Sequence, residues 1–465
     1  MQSLKNYTEA KPDIPLADNN VMGVFKLFRP RLLAAAFLLT GVIFHISALD
    51  VQSRRIEDDS ELRASLRDTW FIDAPAKVLN MRRVIRTLPG GGKIQIRAED
   101  ARDEIMVILA RERNGSYPGW AQGSWVLTRR KEDGRPIRIR VFLRSDPNMY
   151  VQFRPNPTDR NRSLLDVVIY DAYVTRAVTV PIPFERLITL PVEDILSTVE
   201  TKFPRLYFDP VPGMYRDVRA FLGLVREKLP ALNYRDDGAI DENGRYVYIE
   251  TLAPQTGKTG LNCSGFAKWI VDGILRPFTG NRLAIPPLKE PFADRGFTTL
   301  NETHEQSRAP FFGLDWTRNL ASTARITLYS SHDMGILEET EVRSSPFSSI
   351  IERTKTGNFV RVRSYPDFLP NAGFSFEGLH PLLYTLAVEE PGHIYLASIN
   401  NDIGTPRMRQ HFHVAVLVPY FNEYGTFQIA VFESAAETSF SAFKQRYPGH
   451  FINLVRISVD PFFDP

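Results

Sequence analysis

The chain has one cysteine, Cys263, in 465 residues. A single thiol excludes an internal disulfide framework and any zinc site built from several thiolates. Excess charge of one sign is also missing. The 57 Lys and Arg stand against 54 Asp and Glu, a formal net charge of +3, too near balance for nucleic acid to be the main partner of the whole chain. No Walker-type or dinucleotide-binding glycine motif, no His-Glu-x-x-His zinc motif, no low-complexity tract and no internal repeat occurs. Ser375, in Gly373-Phe374-Ser375-Phe376-Glu377-Gly378, misses the nucleophile-elbow spacing by one residue, which argues against a serine hydrolase. With 43% hydrophobic and 24% charged residues, the chain is neither a polytopic membrane protein nor a disordered one. Its length suits about two or three domains.

What is present begins with an apolar segment. Lys26, Arg29 and Arg31 precede residues 32–49, 18 positions without formal charge. A basic stretch followed by an apolar one is the layout of an export signal, or of a membrane anchor if it is not cleaved. Met22 is an alternative start, because the polar residues ahead of it make the basic region unusually long. Residues 1–49 are therefore expected to be a tail with a signal or anchor. The protein is expected in the periplasm or cell envelope, touching membrane only through that segment if it is retained. In an oxidising compartment an unpaired cysteine is either packed as a small hydrophobe or used as a reactive thiol.

Two parts follow. Residues 50–205 alternate apolar and polar side chains in short runs, at 93–97, 104–109, 124–128, 136–143 and 165–174, which predicts a mostly antiparallel β domain. Ten basic and four acidic residues fall between 129 and 162, either the solvated face of a sheet or a dock for an anionic envelope polymer. In residues 206–465, the apolar spacing of 217–229 predicts an amphipathic helix. The acidic loop at 241–244 lacks the twelve-residue calcium spacing. Residues 277–390 are proline-dotted and read as a loop-rich insertion, with strand-like pieces at 326–329 and 359–362. His304, His332, His380 and His450 read as surface or satisfied loop residues.

The chemistry is concentrated in two segments. In Gly260-Leu261-Asn262-Cys263-Ser264-Gly265-Phe266, turn-forming residues precede the cysteine, and Phe266, Trp269, Ile270, Gly273 and Ile274 then follow at helical spacing. Cys263 thus opens a helix, where unpaired backbone N–H groups and the helix dipole favour a thiolate. The N–H groups near Cys263 and Ser264 could meet an oxyanion, and the small side chains of Ser264 and Gly265 leave room for substrate. In Gln410-His411-Phe412-His413-Val414-Ala415-Val416, alternation predicts a strand with His411 and His413 on one face, and does not choose between them. The pair could instead ligate a metal, although no carboxylate follows at short spacing. Glu433 ends the next predicted strand, on the face of Phe427, Ile429 and Val431, and could orient an imidazole; Gln428 is the reserve for that role.

These segments resemble the NlpC-type cell-wall cysteine peptidases of the papain-like superfamily. The resemblance rests on Asn262-Cys263-Ser264-Gly265-Phe266, on Pro391-Gly392-His393-Ile394-Tyr395-Leu396, on His413-Val414-Ala415-Val416, and on Phe432-Glu433-Ser434-Ala435, the last like the YiiX-type branch. It favours His413 over His411. It implies an α+β fold in which the helix carrying Cys263 packs on an antiparallel sheet, preceded here by the β domain and interrupted by the insertion. It further implies an amide-cleaving hydrolase without cofactor or metal, acting on peptidoglycan stem peptides through a Cys263, His413 and Glu433 triad. A non-catalytic envelope-binding scaffold, or an acyltransferase or amidase with the same triad, are the competing expectations.

Overall fold

Alternation between residues 84 and 180 produces one eight-stranded antiparallel sheet whose spatial order is the order of the chain. Its strands are β1 (Val84–Thr87), β2 (Lys93–Ala101), β3 (Glu104–Arg111), β4 (Trp125–Arg130), β5 (Pro136–Val141), β6 (Met149–Pro155), β7 (Ser163–Ile169) and β8 (Ala172–Val180). The computed structural model describes residues 57–292, 310–329, 336–347, 350–353, 359–363, 368–403 and 408–465, all within one compact unit. The apolar segment 32–49, His304 and His332 lie outside them. Among the described residues no helix is long and apolar enough to cross a membrane.

Ile94, Ile96, Val107, Leu109, Leu127, Ile139, Val151 and Val167 point from successive strands into one core, as a period of two dictates. Short helices α1 (Ser60–Leu66), α2 (Pro75–Leu79), α3 (Phe184–Leu187) and α4 (Val192–Ser197) supply further residues to it. The expected strand at 165–174 is two strands. Tyr170 and Asp171 both have positive φ, 48° and 66°, and form a two-residue hairpin turn that no glycine or asparagine announces. The arginines of the basic stretch are largely engaged, Arg138 with Glu104, Arg154 with Asp166 and Arg162 with Asp159, an arrangement that suits the outer face of a sheet.

Helix α5 (Arg216–Lys228) buries Val218, Phe221, Leu222 and Val225, the stripe read from its spacing. A small hairpin, β9 (Gly238–Ile240) with β10 (Tyr246–Tyr248), precedes α6 (Cys263–Thr279). Then come α7 (Pro286–Lys289), α8 (Phe312–Tyr329), α9 (Ile336–Thr340), the pair β11 (Ile350–Arg353) and β12 (Phe359–Arg363), β13 (Phe374–Ser375) and α10 (Leu379–Glu389). The chain ends in β14 (His393–Ile403), β15 (Met408–Phe421), β16 (Phe427–Glu433), β17 (Ala436–Thr438), α11 (Phe440–Arg446) and β18 (Phe451–Ser458). A second antiparallel sheet runs in the order β13-β18-β14-β15-β16-β17. One face packs against α6 and α8, the other against α10 and α11. The architecture is mixed α+β with antiparallel sheets.

The stretch 277–390 is richer in helix than expected. Residues 326–329, read as strand-like, are the last turn of α8, whose Leu320, Ala321 and Ala324 pack into the same core as α6. Packing on one side overrides the strand preference of that short run. Residues 359–362 do lie in a strand. His380 is no loop residue either: it sits on α10 against the rings of Tyr170, Phe427 and Phe440, and burial lowers its pKa to about 4.

Candidate active site

Asn262 sets the start of the cysteine helix. Its backbone is extended, its side-chain oxygen accepts from Gly265 N at 2.8 Å, and its carbonyl accepts the first helical hydrogen bond, from Phe266 N at 2.9 Å. This is N-capping, and it places Cys263 as the first helical residue. The helix is buried from Ser264 to Leu275, so its packing holds the first turn in place. Gly265 faces the backbone of β9: a Cβ there would lie 2.0 Å from Gly238 O, and Gly238 O accepts from Asn262 N at 3.0 Å. Glycine is required at 265 for this approach of two backbones rather than to leave room for substrate.

Cys263 is partly exposed, and the imidazole of His413 is near enough to act on its thiol. Burial pushes the thiol pKa up. The imidazole of His413, the N–H of Val414 and the hydroxyl of Ser264 together outweigh that, and the net shift is downward. Ser264 Oγ lies 3.9 Å from Sγ, and the Ser264 carbonyl is held by Trp316 Nε1 at 2.9 Å. Strand pairing explains the access to Val414. β16 pairs with β15 only from Val416 to Phe421, so that edge of β15 is open just before Val416, where the helix N-terminus arrives.

His413 Nε2 is 2.8 Å from Glu433 Oε1, which leaves Nδ1 for the thiol. Glu433 is held in turn by Arg446 and by Tyr447, whose hydroxyl donates to Oε1 at 3.2 Å. The Tyr447 ring lies over the His413 ring, with centroids 5.9 Å apart and planes inclined by 27°. The structure therefore brings Cys263, His413 and Glu433 together, with the imidazole between the thiol that it influences and the carboxylate. Gln428 is exposed and lines an open groove with Arg226, Tyr420 and Glu437; the imidazole nitrogen goes to Glu433.

The two histidines of the strand part company at a bulge. Ile399 pairs with His413 and Asn400 with His411, so Phe412 is an extra residue in β15. His411 is buried, with Ser398 Oγ 2.8 Å from Nδ1 and Asn371 O 2.9 Å from Nε2. Both ring nitrogens are thus engaged within the protein, and burial lowers its pKa to about 3. The local sequence does not reveal Arg446 and Tyr447 as partners of Glu433, because the chain returns to the site through α11 after the β17 hairpin. The open edge at Val414 is equally hidden, since pairing ends at the Ser434-Ala435 turn, where φ is 48° and 69°.

An activated thiol, an imidazole with one nitrogen fixed by a carboxylate, and first-turn N–H groups are the components of acyl transfer. No curated protein and no solved structure matches the chain. Residues 52–207, which span β1 to β8 and not the Cys263 site, match a family model described as a domain of unknown function (DUF8515).

Proposed function

We propose that the protein is an exported cysteine hydrolase of the papain-like, NlpC type that cleaves amide bonds in peptidoglycan stem peptides. The observation that carries this reading is the contact of Cys263 with His413 and of His413 with Glu433, which joins residues 150 positions apart in the sequence. Export is supported by the basic and then apolar layout of residues 26–49.

The geometry supports the following sequence. His413 Nδ1 takes the thiol proton, while Glu433 on Nε2 fixes the ring and stabilises the imidazolium. The sulfur attacks the amide carbon, forming the C–S bond and an oxyanion. The N–H groups of Cys263 and Ser264 precede the first helical hydrogen bond and can meet that oxyanion. The tetrahedral intermediate collapses with loss of the amine, which receives the proton from His413. Water then attacks the thioester, giving its proton to His413 as the C–O bond forms, and departure of the sulfur restores the free enzyme.

The test is a digest of purified cell wall with wild type, Cys263→Ala and Glu433→Gln, read by mass spectrometry. Wild type is expected to release stem-peptide fragments. Cys263→Ala should release none while melting near the wild-type temperature, and Glu433→Gln should be slowed by roughly 10²–10⁴, as when the orienting carboxylate of a triad is neutralised. Equal release by wild type and Cys263→Ala would sink the proposal. So would no release by wild type together with no labelling of Cys263 by a thiol-directed acylating probe, which is the outcome for a non-catalytic scaffold.

A further inference from the structure

The mechanism above leaves one side chain beside the imidazole without a role. Tyr447 directly follows α11, and its hydroxyl donates at 3.2 Å to Glu433 Oε1, the same oxygen that lies 2.8 Å from His413 Nε2. Arg446 takes Oε2. A glutamate carboxylate hangs on three rotatable bonds, and a single hydrogen bond to an imidazole leaves its second oxygen free to swing. Here both oxygens are gripped, and the grip comes from one place, the end of α11.

The hydroxyl is aimed by its ring. That ring packs on Phe443 and Phe376, with centroids 5.4 and 5.5 Å away, and lies over His413 with the planes inclined by 27°. Among the described residues, the titratable or charged groups that face it are Glu433, Arg446, Cys263, His413 and His450. Burial pushes the Tyr447 hydroxyl up, Arg446 opposes this, the charge of Cys263 adds to it, and the net shift is upward. At neutral pH the hydroxyl therefore keeps its proton and serves Glu433 as a donor.

We propose that Tyr447 is a positioning residue of the Cys263 site, its hydroxyl pinning the carboxylate of Glu433 and, through it, holding the imidazole of His413 at the thiol. It acts through Glu433 and His413 and not on the reacting atoms. Its effect on turnover rests on the hydrolase reading, whereas its effect on the thiol does not. A tyrosine that only filled space would lose nothing on becoming phenylalanine, which keeps the ring.

A mutant cycle on the full chain, with Tyr447→Phe, Glu433→Ala and the double variant, tests this. It is read by iodoacetamide alkylation of Cys263 against pH and by release of stem-peptide fragments from purified cell wall. Tyr447→Phe should keep the wild-type circular dichroism spectrum and move the alkylation midpoint upward, because an imidazole held less firmly lowers the thiol pKa less. It should also reduce kcat by about tenfold with KM unchanged, the pattern for an interaction used in the transition state alone. In the Glu433→Ala background the same change should shift neither readout further, since the hydroxyl has no carboxylate left to hold. An unmoved midpoint in Tyr447→Phe would overturn the proposal, and so would an equal shift with and without the Glu433 carboxylate. Cell wall left intact by wild type would count against the hydrolase reading alone, and the alkylation cycle would still decide the role of Tyr447.

Discussion

At Cys263, burial opposes the thiolate, and the contacts with His413, the Val414 N–H and Ser264 overcome it. The thiol therefore titrates below its ordinary value of 9.0. Because the folded-state pKa is the depressed one, the thiolate adds stability above the ordinary value, and that contribution is lost as pH falls through the folded value. Iodoacetamide alkylation of the native protein should accordingly show a midpoint below that of the same thiol in urea. His413→Ala should move the midpoint upward, because burial would then be opposed only by the weaker partners; a midpoint that does not respond would contradict the contact. Much of this site is legible in the sequence. Cys263 at a helix start, and Glu433 on its strand face, follow from residue spacing, and the resemblance selects His413. Arg446 and Tyr447 do not, because their contact with Glu433 is made by chain return and leaves no periodic trace. His411 and His413 share a face in any two-residue alternation, and only the extra residue at Phe412 separates them.

At the scale of elements, the cysteine helix depends on its cap. Asn262→Ala removes the acceptor for Gly265 N and should cost about 1 kcal/mol in denaturant unfolding. It should also slow alkylation of Cys263 at fixed pH, since the first turn that holds the sulfur loosens. Unchanged stability and reactivity would show that packing alone sets the helix start. Most strands were readable because one face of each is buried. Residues 165–174 read as one strand because Tyr170 and Asp171 turn without turn-forming glycine, and 326–329 read as a strand because a four-residue run cannot distinguish a strand from the end of a buried helix.

For the whole molecule, α10 is the joint. Leu379, Leu382, Leu383 and Leu386 face the second sheet, whereas Tyr384, Ala387 and Val388 enter the core of the first. Tyr384 donates its hydroxyl to Tyr207 O at 2.5 Å, and Tyr215 donates to Ala387 O at 2.9 Å. Tyr384→Ala should destabilise the protein by about 3–5 kcal/mol, the range for large aromatic truncations in cores. Far-ultraviolet circular dichroism and tryptophan fluorescence should still report one coincident transition, because tryptophans lie in both cores. Separate midpoints would mean that the two sheets unfold independently. The sequence, which suggests a β part and a later part, gives no sign that the described residues form one compact unit. It does not show that a helix from the supposed insertion is common to both, since a helix apolar on nearly every side gives no stripe from which to infer its neighbours.

That double allegiance limits how the protein can be cut. A piece excised at the end of the DUF8515 match, near residue 207, leaves behind side chains that plug its interior, those of α10 among them. It would reach solution with an oily scar where Tyr384, Ala387 and Val388 had been. Grafting the leading β portion onto another protein would therefore require a substitute for one face of an eleven-residue helix, which makes this portion a poor candidate for exchange as a free-standing building block.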